Sequence, residues 1–366
     1  MKKLLYIAIA ALVALTACTK VDMEEYNPDR KVTFQVASYA QQTKANSSIW
    51  SEFTSFTAKA FLHAEGYTAA NQTQDFFGAA GQLITPYTSA GAAATTEASV
   101  SYWAPSHDFF WPKGSDSYLN FIAWYDAKGT LPATATETSL SWTDYTVLST
   151  DNLLVAEEAW HYKENTSNSL YTGDPVAAGV PMLFRHALAQ VAFKAYETNA
   201  SSNGMTRTVT VNSLSLSNVY STGSVSLTNA GSTTRATVPW VATGNVWTPS
   251  GNAAPMAMSS ATTLTTSSTD LISLRTVLPQ TVTDDMVLTV TYKISTYYGN
   301  SETAFSEETI TLSEKLNELV SVIPAWEMGH RIIYTLVFDL STDLIQIQPT
   351  LQNWDANIGG GGVTLE

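Results

Sequence analysis

The chain has 366 residues, 18 Lys and Arg against 32 Asp and Glu, a formal net charge of −14 and one Cys. That length suffices for one large or two ordinary domains with real cores, while the acidic balance and the lack of any Lys/Arg cluster exclude a nucleic-acid surface, which needs cations to displace phosphate counterions. A single Cys excludes an internal disulfide and a Cys-based zinc site, so packing and hydrogen bonding must hold the fold.

At the N-terminus, Lys2 and Lys3 precede an apolar run over residues 4–15, followed by Leu15-Thr16-Ala17-Cys18. This is the layout of a lipoprotein signal peptide over residues 1–17. The run falls short of the roughly 20 helical residues that span a bilayer. Cleavage before Cys18 leaves the only thiol at the new N-terminus for lipidation. Acyl chains supply about 0.8 kcal/mol per buried methylene, so a multiply acylated (palmitate-type) Cys18 would hold the chain firmly on a membrane. Residues 18–30, with Asp22, Glu24, Glu25, Pro28 and Asp29, read as an acidic, flexible tether.

Beyond residue 30 the dominant period is two, with apolar β-branched and aromatic residues alternating with Ser, Thr and other polar residues. Val32, Phe34 and Val36 alternate first; Val191, Phe193 and Ala195, then Leu288, Val290, Tyr292 and Ile294, then Ile332, Tyr334, Leu336, Phe338 and Leu340 follow, and Ile345, Ile347 and Leu351 close the series. These predict antiparallel sheets with one wet face. Residues 118–125 carry apolar side chains on both phases, which predicts a strand buried on both faces. Helix is expected only at residues 313–320, about two turns, and at residues 159–165, about one. Segments 89–96, 221–234 and 253–269 read as loops, and punctuation around Gly173, Pro175, Gly179 and Pro181 places a boundary between domains of residues 31–181 and 182–366. The fold class is mainly β.

Catalytic spacing is absent. Glu157 and Glu158 are adjacent and diverge on strand or helix, so they read as a solvated turn. The five His show no metal-motif spacing, no Gly-x-Ser-x-Gly elbow occurs, and Gly359 to Gly362 lack the flanks of a phosphate cradle and read as a hinge. No cofactor is expected. Most of the aromatics in the stretch from Trp103 to Tyr125 are assigned to core.

In order along the chain, the sequence then resembles the fimbrillin family, in its fimbrillin-like or minor-fimbrium-like branch. The matching segments are the lipobox ending at Cys18; Lys31-Val-Thr-Phe-Gln-Val with Gln42-Thr43-Lys44-Ala45; Phe110-Trp111-Pro112 before Leu119-Asn120-Phe121-Ile122-Ala123-Trp124; Asp151-Asn152-Leu153-Leu154-Val155-Ala156; the run from Leu183 to Phe193; and the ending from Trp326-Glu327-Met328-Gly329 to Trp354. The acidic residues after Cys18 resemble the surface-export signal of lipoproteins from anaerobic Gram-negative bacteria. The resemblance implies two tandem transthyretin-like antiparallel β-sandwich domains and a structural or adhesive pilus subunit, not an enzyme. It further implies display on the outer face, an Arg-specific cut that removes the first strand, and a neighbour's strand filling the groove by β-augmentation. Its partners would be other pilus subunits in a head-to-tail polymer, together with a host or bacterial surface ligand.

One departure stands out. Arg30 is the only Arg before Arg185, and it precedes the first strand, so a cut there releases the tether without opening a groove. Beyond that strand the nearest basic residue is Lys44. Either the subunit keeps its strand as a tip or anchor component, or a Lys-tolerant protease processes it. Ile345, Ile347 and Leu351 form a candidate donor strand, with residence in the last domain as the competing reading. A monomeric surface lipoprotein that binds glycan is the alternative function, favoured if two or three of Trp103, Trp142, Trp160 and Trp247 form an exposed row.

Overall fold

The computed structural model describes residues 30–38, 52–64, 74–112, 117–162, 179–198, 201–202, 204–228, 237–238, 246–342, 344–354 and 363–364. The alternation read in the sequence is realised first in β1 (Phe34–Ser38), β2 (Phe56–Ala64), β3 (Gln82–Tyr87), β4 (Tyr102–Pro105) and β5 (Ser117–Asp126). They are followed by β6 (Ser139–Thr146), β7 (Leu153–Ala156), β8 (Glu158–Tyr162) and β9 (Val180–His186). Seven of these pair in an unbroken ring, β1-β4-β3-β2-β5-β7-β9 and back to β1, while β8 continues β7 along the same edge of β5. Closure removes the free edges that an open sheet would expose. The ring encloses an aromatic core of Phe34, Phe53, Phe56, Phe77, Trp103, Trp111, Phe121 and Phe184.

The second half holds β10 (Ala189–Thr198), β11 (Met205–Val219), β12 (Thr222–Thr228), β13 (Thr269–Val277), β14 (Val287–Tyr298), β15 (Ser306–Lys315), β16 (His330–Asp339) and β17 (Leu344–Asn353). One sheet runs β13-β10-β16-β17, the other β11-β14-β15. Their inner faces pack Val191, Phe193, Leu214, Leu288, Tyr292, Trp326, Tyr334 and Phe338 into one core. Two pairs are parallel, β1 with β9 and β10 with β16. An all-antiparallel fold was expected; both parallel pairs join strands far apart in the chain, where a long crossover is available.

A third core joins the halves. β6, from the first half, pairs with β12, from the second, in a small sheet flanked by Thr134–Thr136 and Thr248–Ser250. Beneath it lie Ile122, Trp124, Leu140, Trp142, Val155, Leu188, Val225, Trp247 and Leu278. This explains the two-faced burial of β5: Leu119, Phe121 and Ala123 face the ring interior, and Ile122 and Trp124 face the third core. A polar pin supports the junction, where the buried carboxylate of Glu137 meets His63 of β2 and accepts from Asn120 of β5, and Lys59 donates to the Ala135 carbonyl at 2.9 Å. The chain passes from ring to sandwich at Ala187 and Leu188, so Pro181 falls inside β9. The small sheet draws one long strand from each half.

Local expectations changed where pairing won over propensity. Residues 313–315 pair with β14, which leaves a single helical turn, α1 (Leu316–Leu319), in place of two. Ala159 and Tyr162 pair with β5, so the expected turn of helix is strand β8. Segment 221–234, read as loop, contains β12, and segment 253–269 contains the short strands Ala254–Ala257 and Thr262–Thr263. Glu157, expected in a solvated turn, is 5% exposed between β7 and β8, where Arg185 of the adjacent β9 pairs with it through Nε at 2.8 Å and Nη2. A cation on the neighbouring strand makes burial of the carboxylate tolerable.

Candidate assembly site

β1 is the interior plug of the ring. It pairs with β9 at Phe34–Val180 through Ser38–Phe184 on one side, and with β4 at Phe34–Trp103 on the other. Val32 and Phe34 are 1% and 0% exposed. The Phe34 ring stands edge-on to Phe121 at 5.4 Å, and to Phe56 and Phe77 at 6.2 Å each. Gly179 permits the close parallel approach of β9: its φ is +81°, and a Cβ there would lie 2.9 Å from the Phe34 carbonyl carbon.

The candidate processing residue Arg30 lies immediately upstream of this plug, in a short ladder. Its carbonyl accepts from the Trp111 amide at 3.1 Å, and the Val32 amide donates to the Phe109 carbonyl at 2.8 Å. Lys31 bridges Phe110 and pairs with Asp108 at 2.7 Å. Lys44 and Cys18, and the Gly359 to Gly362 hinge, lie outside the described residues.

At the other end, β17 pairs with β16 through ten consecutive positions, His330–Asn353 to Asp339–Leu344. Ile345, Ile347 and Leu351 are half-buried against the sandwich core. The outer edge of β17 meets Val363–Thr364 at Leu351 and Thr350. Just past β17, Trp354 stacks on the His186 ring at the end of β9, with centroids 3.7 Å apart and planes 15° apart. Glu52 completes this contact, 3.6 Å from His186 Nε2 and accepting from Asn152 at 2.7 Å. The proximity of His186 outweighs burial and holds the Glu52 carboxyl below its usual range. Sequence reasoning missed this junction because its four residues come from four separated segments. Trp103, Trp142 and Trp247 are 5%, 1% and 5% exposed, so these three form no exposed row, and the Trp160 side chain lies outside the described residues. Among the described residues no group of three or more His, Cys, Asp or Glu converges to hold a metal, and no helix is long and apolar enough to cross a membrane.

The fimbrillin-like family matches residues 43–354. The chain belongs to the fimbrillin-like family. A fimbrial protein from Bacteroides vulgatus superposes with a TM-score of 0.53 at 15% identity, covering 88% of this chain and 99% of the other. A candidate cell adhesion protein from Bacteroides uniformis is 16% identical over 90% of this chain and 100% of its own, with a TM-score of 0.45. No curated protein matches the chain. Membership in the family supports a pilus subunit and a place at the cell surface; at such identities the fimbrial neighbour from Bacteroides vulgatus speaks for the fold alone.

Proposed function

We propose that this fimbrillin-like chain is a pilus subunit that reaches the outer membrane as a lipoprotein through Cys18 and joins its neighbours by strand exchange at the slot now filled by β1. One observation carries the reading: β1 is an interior strand, flanked on both sides and anchored by Val32 and Phe34, so its loss exposes a strand-shaped apolar groove lined by β4 and β9. Because Arg30 lies upstream of β1, a cut there leaves β1 seated and is the reading for a tip subunit, while the uncut, lipidated chain is the reading for an anchor. A cut at Lys44 instead makes it a stalk subunit. In that polymer β17, with Ile345, Ile347 and Leu351, is the candidate donor, and it must leave ten pairings with β16 to serve. The contact is heterologous and does not close, as a fibre requires.

Intact-mass analysis with N-terminal mapping of the surface protein tests the proposal. A chain starting at Ala45 identifies a stalk subunit with an open slot. A lipidated Cys18 start identifies an anchor, and a Lys31 start a released subunit whose slot is still closed. Failure of the chain to enter fibres in all three forms would overturn the pilus reading.

A further inference from the structure

A pocket of about 230 Å³ opens on the outer face of the ring beside the start of β1. It exists because the chain of β4 leaves its pairing with β1 after Trp103 and rejoins the start of that strand at Phe109 and Phe110, so that Ser106, His107 and Asp108 arch outward. All three are exposed, and none contributes to a core. Opposite the arch stand Tyr87 and Tyr102, an in-register cross-strand pair with rings 5.6 Å apart and 13° from parallel. Gly91, at φ +79°, turns the 88–92 loop past this pair, and a Cβ there would come within 3.8 Å of the Tyr102 hydroxyl.

The lining defines a ligand class. Two phenols, an imidazole and the Ser106 hydroxyl offer hydrogen-bond donors and acceptors beside a flat aromatic wall. The one full cation on the rim, Lys31, is already paired with Asp108 at 2.7 Å, so the pocket carries no uncompensated charge for a phosphate or sulfate. Its volume falls below the roughly 300–1,000 Å³ of pockets for drug-sized molecules, which limits an occupant to about one ring. Buried Trp103, Trp142 and Trp247 have no part in it.

We infer that this pocket binds a single neutral pyranose unit of a surface glycan, with Tyr87 and Tyr102 as the aromatic wall and Ser106, His107 and Asp108 as the polar arch. The inference does not rest on strand exchange, but it requires a chain that keeps β1, because Lys31, Val32 and Thr33 form one wall of the pocket.

Saturation-transfer NMR on the full mature chain tests it, with methyl β-galactoside, methyl β-glucoside, methyl α-mannoside and N-acetylglucosamine as probes, each at about 10 mM, a concentration suited to millimolar dissociation constants. At least one probe should receive saturation, and its signal should fall about tenfold in Ser106→Arg, which fills the pocket from an exposed position. Tyr102→Phe keeps the cross-strand stack and removes one hydroxyl; it should weaken binding several-fold with the melting temperature unchanged. No transfer to any of the four probes would overturn the inference, as would transfer that survives Ser106→Arg in a variant that melts like the parent.

Discussion

Removal of β1 is the perturbation that most directly tests the plug. A chain beginning at Ala45 lacks Val32 and Phe34, which are 1% and 0% exposed when seated, along with five in-register pairings to β9. Fully burying one such side chain is worth about 1.5–3 kcal/mol, so the loss is about 3–6 kcal/mol before the ladder is counted. Against a total of about 5–15 kcal/mol the open ring should survive, weakened. At about 2–4 °C per kcal/mol, the first unfolding step should drop by roughly 6–24 °C relative to a chain beginning at Lys31. A synthetic peptide of residues 31–38 added in trans should then restore stability. At about 100 times its dissociation constant it returns about 2.7 kcal/mol, and the same peptide with Phe34→Ala should return far less. Differential scanning calorimetry reads both effects. Equal melting of the two chains would refute the argument, because β1 would then contribute nothing to the ring, and so would equal rescue by the Phe34→Ala peptide.

Three further outcomes follow from particular contacts. Because the Arg30 peptide sits in the ladder with Phe109 and Trp111, trypsin should cut the folded chain at Arg30 about 30-fold more slowly than a free peptide of residues 26–35, as expected for a local opening cost of about 2 kcal/mol; mass spectrometry of the Lys31 product reads this, and equal rates would show that the ladder gives no protection. Glu157→Ala should cost about 3–5 kcal/mol by leaving Arg185 beside a missing partner, whereas adding Arg185→Met should recover most of that loss in urea melts. Burial raises the Glu197 carboxyl, partly offset by the Val209 amide that donates to it at 2.9 Å. A raised folded-state pKa makes the charged form a liability above that pKa and none below the unfolded value, so Glu197→Gln should stabilise the protein at pH 7, with the gain fading as the pH falls through the carboxylate range; a gain that grows with acid would reverse the assigned sign.

Strand positions were legible wherever one face is wet. Val191, Phe193 and Ala195, or Ile332 through Leu340, alternate strictly because β10 and β16 each present one face to the sandwich core. The two-faced run in β5 was legible for the opposite reason, since both of its sides meet apolar layers. Partner choice was not legible. The pairing of β1 with β9 joins residues near 34 to residues near 180, and nothing in either segment's period encodes the other. The same holds for Glu157, whose burial depends on Arg185, and for Glu52, His186, Asn152 and Trp354, which meet only after the halves dock. The helix expected over residues 313–320 shows how local preference yields when a ten-residue ladder with β14 is available. Of the assembly residues, the order of Arg30 before β1 was plain from sequence, whereas the engagement of its carbonyl with Trp111 required the fold.

The shared sheet bears on how such a subunit carries load. Were the halves joined by a linker alone, tension between Arg30 and β17 would be taken up by rotation at the linker. Here β6 and β12 pair across the halves, Trp142 and Trp247 fill the core beneath them, and Trp354 stacks on His186, so a pull applied at either end reaches the other through packed contacts. The direction of pull on β1 matters as well. A pull on Arg30 along the axis of β1 loads its pairings with β9 in shear, so they must fail together; a pull across the strand would break them one at a time. Seated between β4 and β9, β1 therefore resists extraction along its axis, whether or not the proposed exchange replaces it. A donor strand occupying that slot would be loaded in the same way, which is the mechanical property a fibre contact needs.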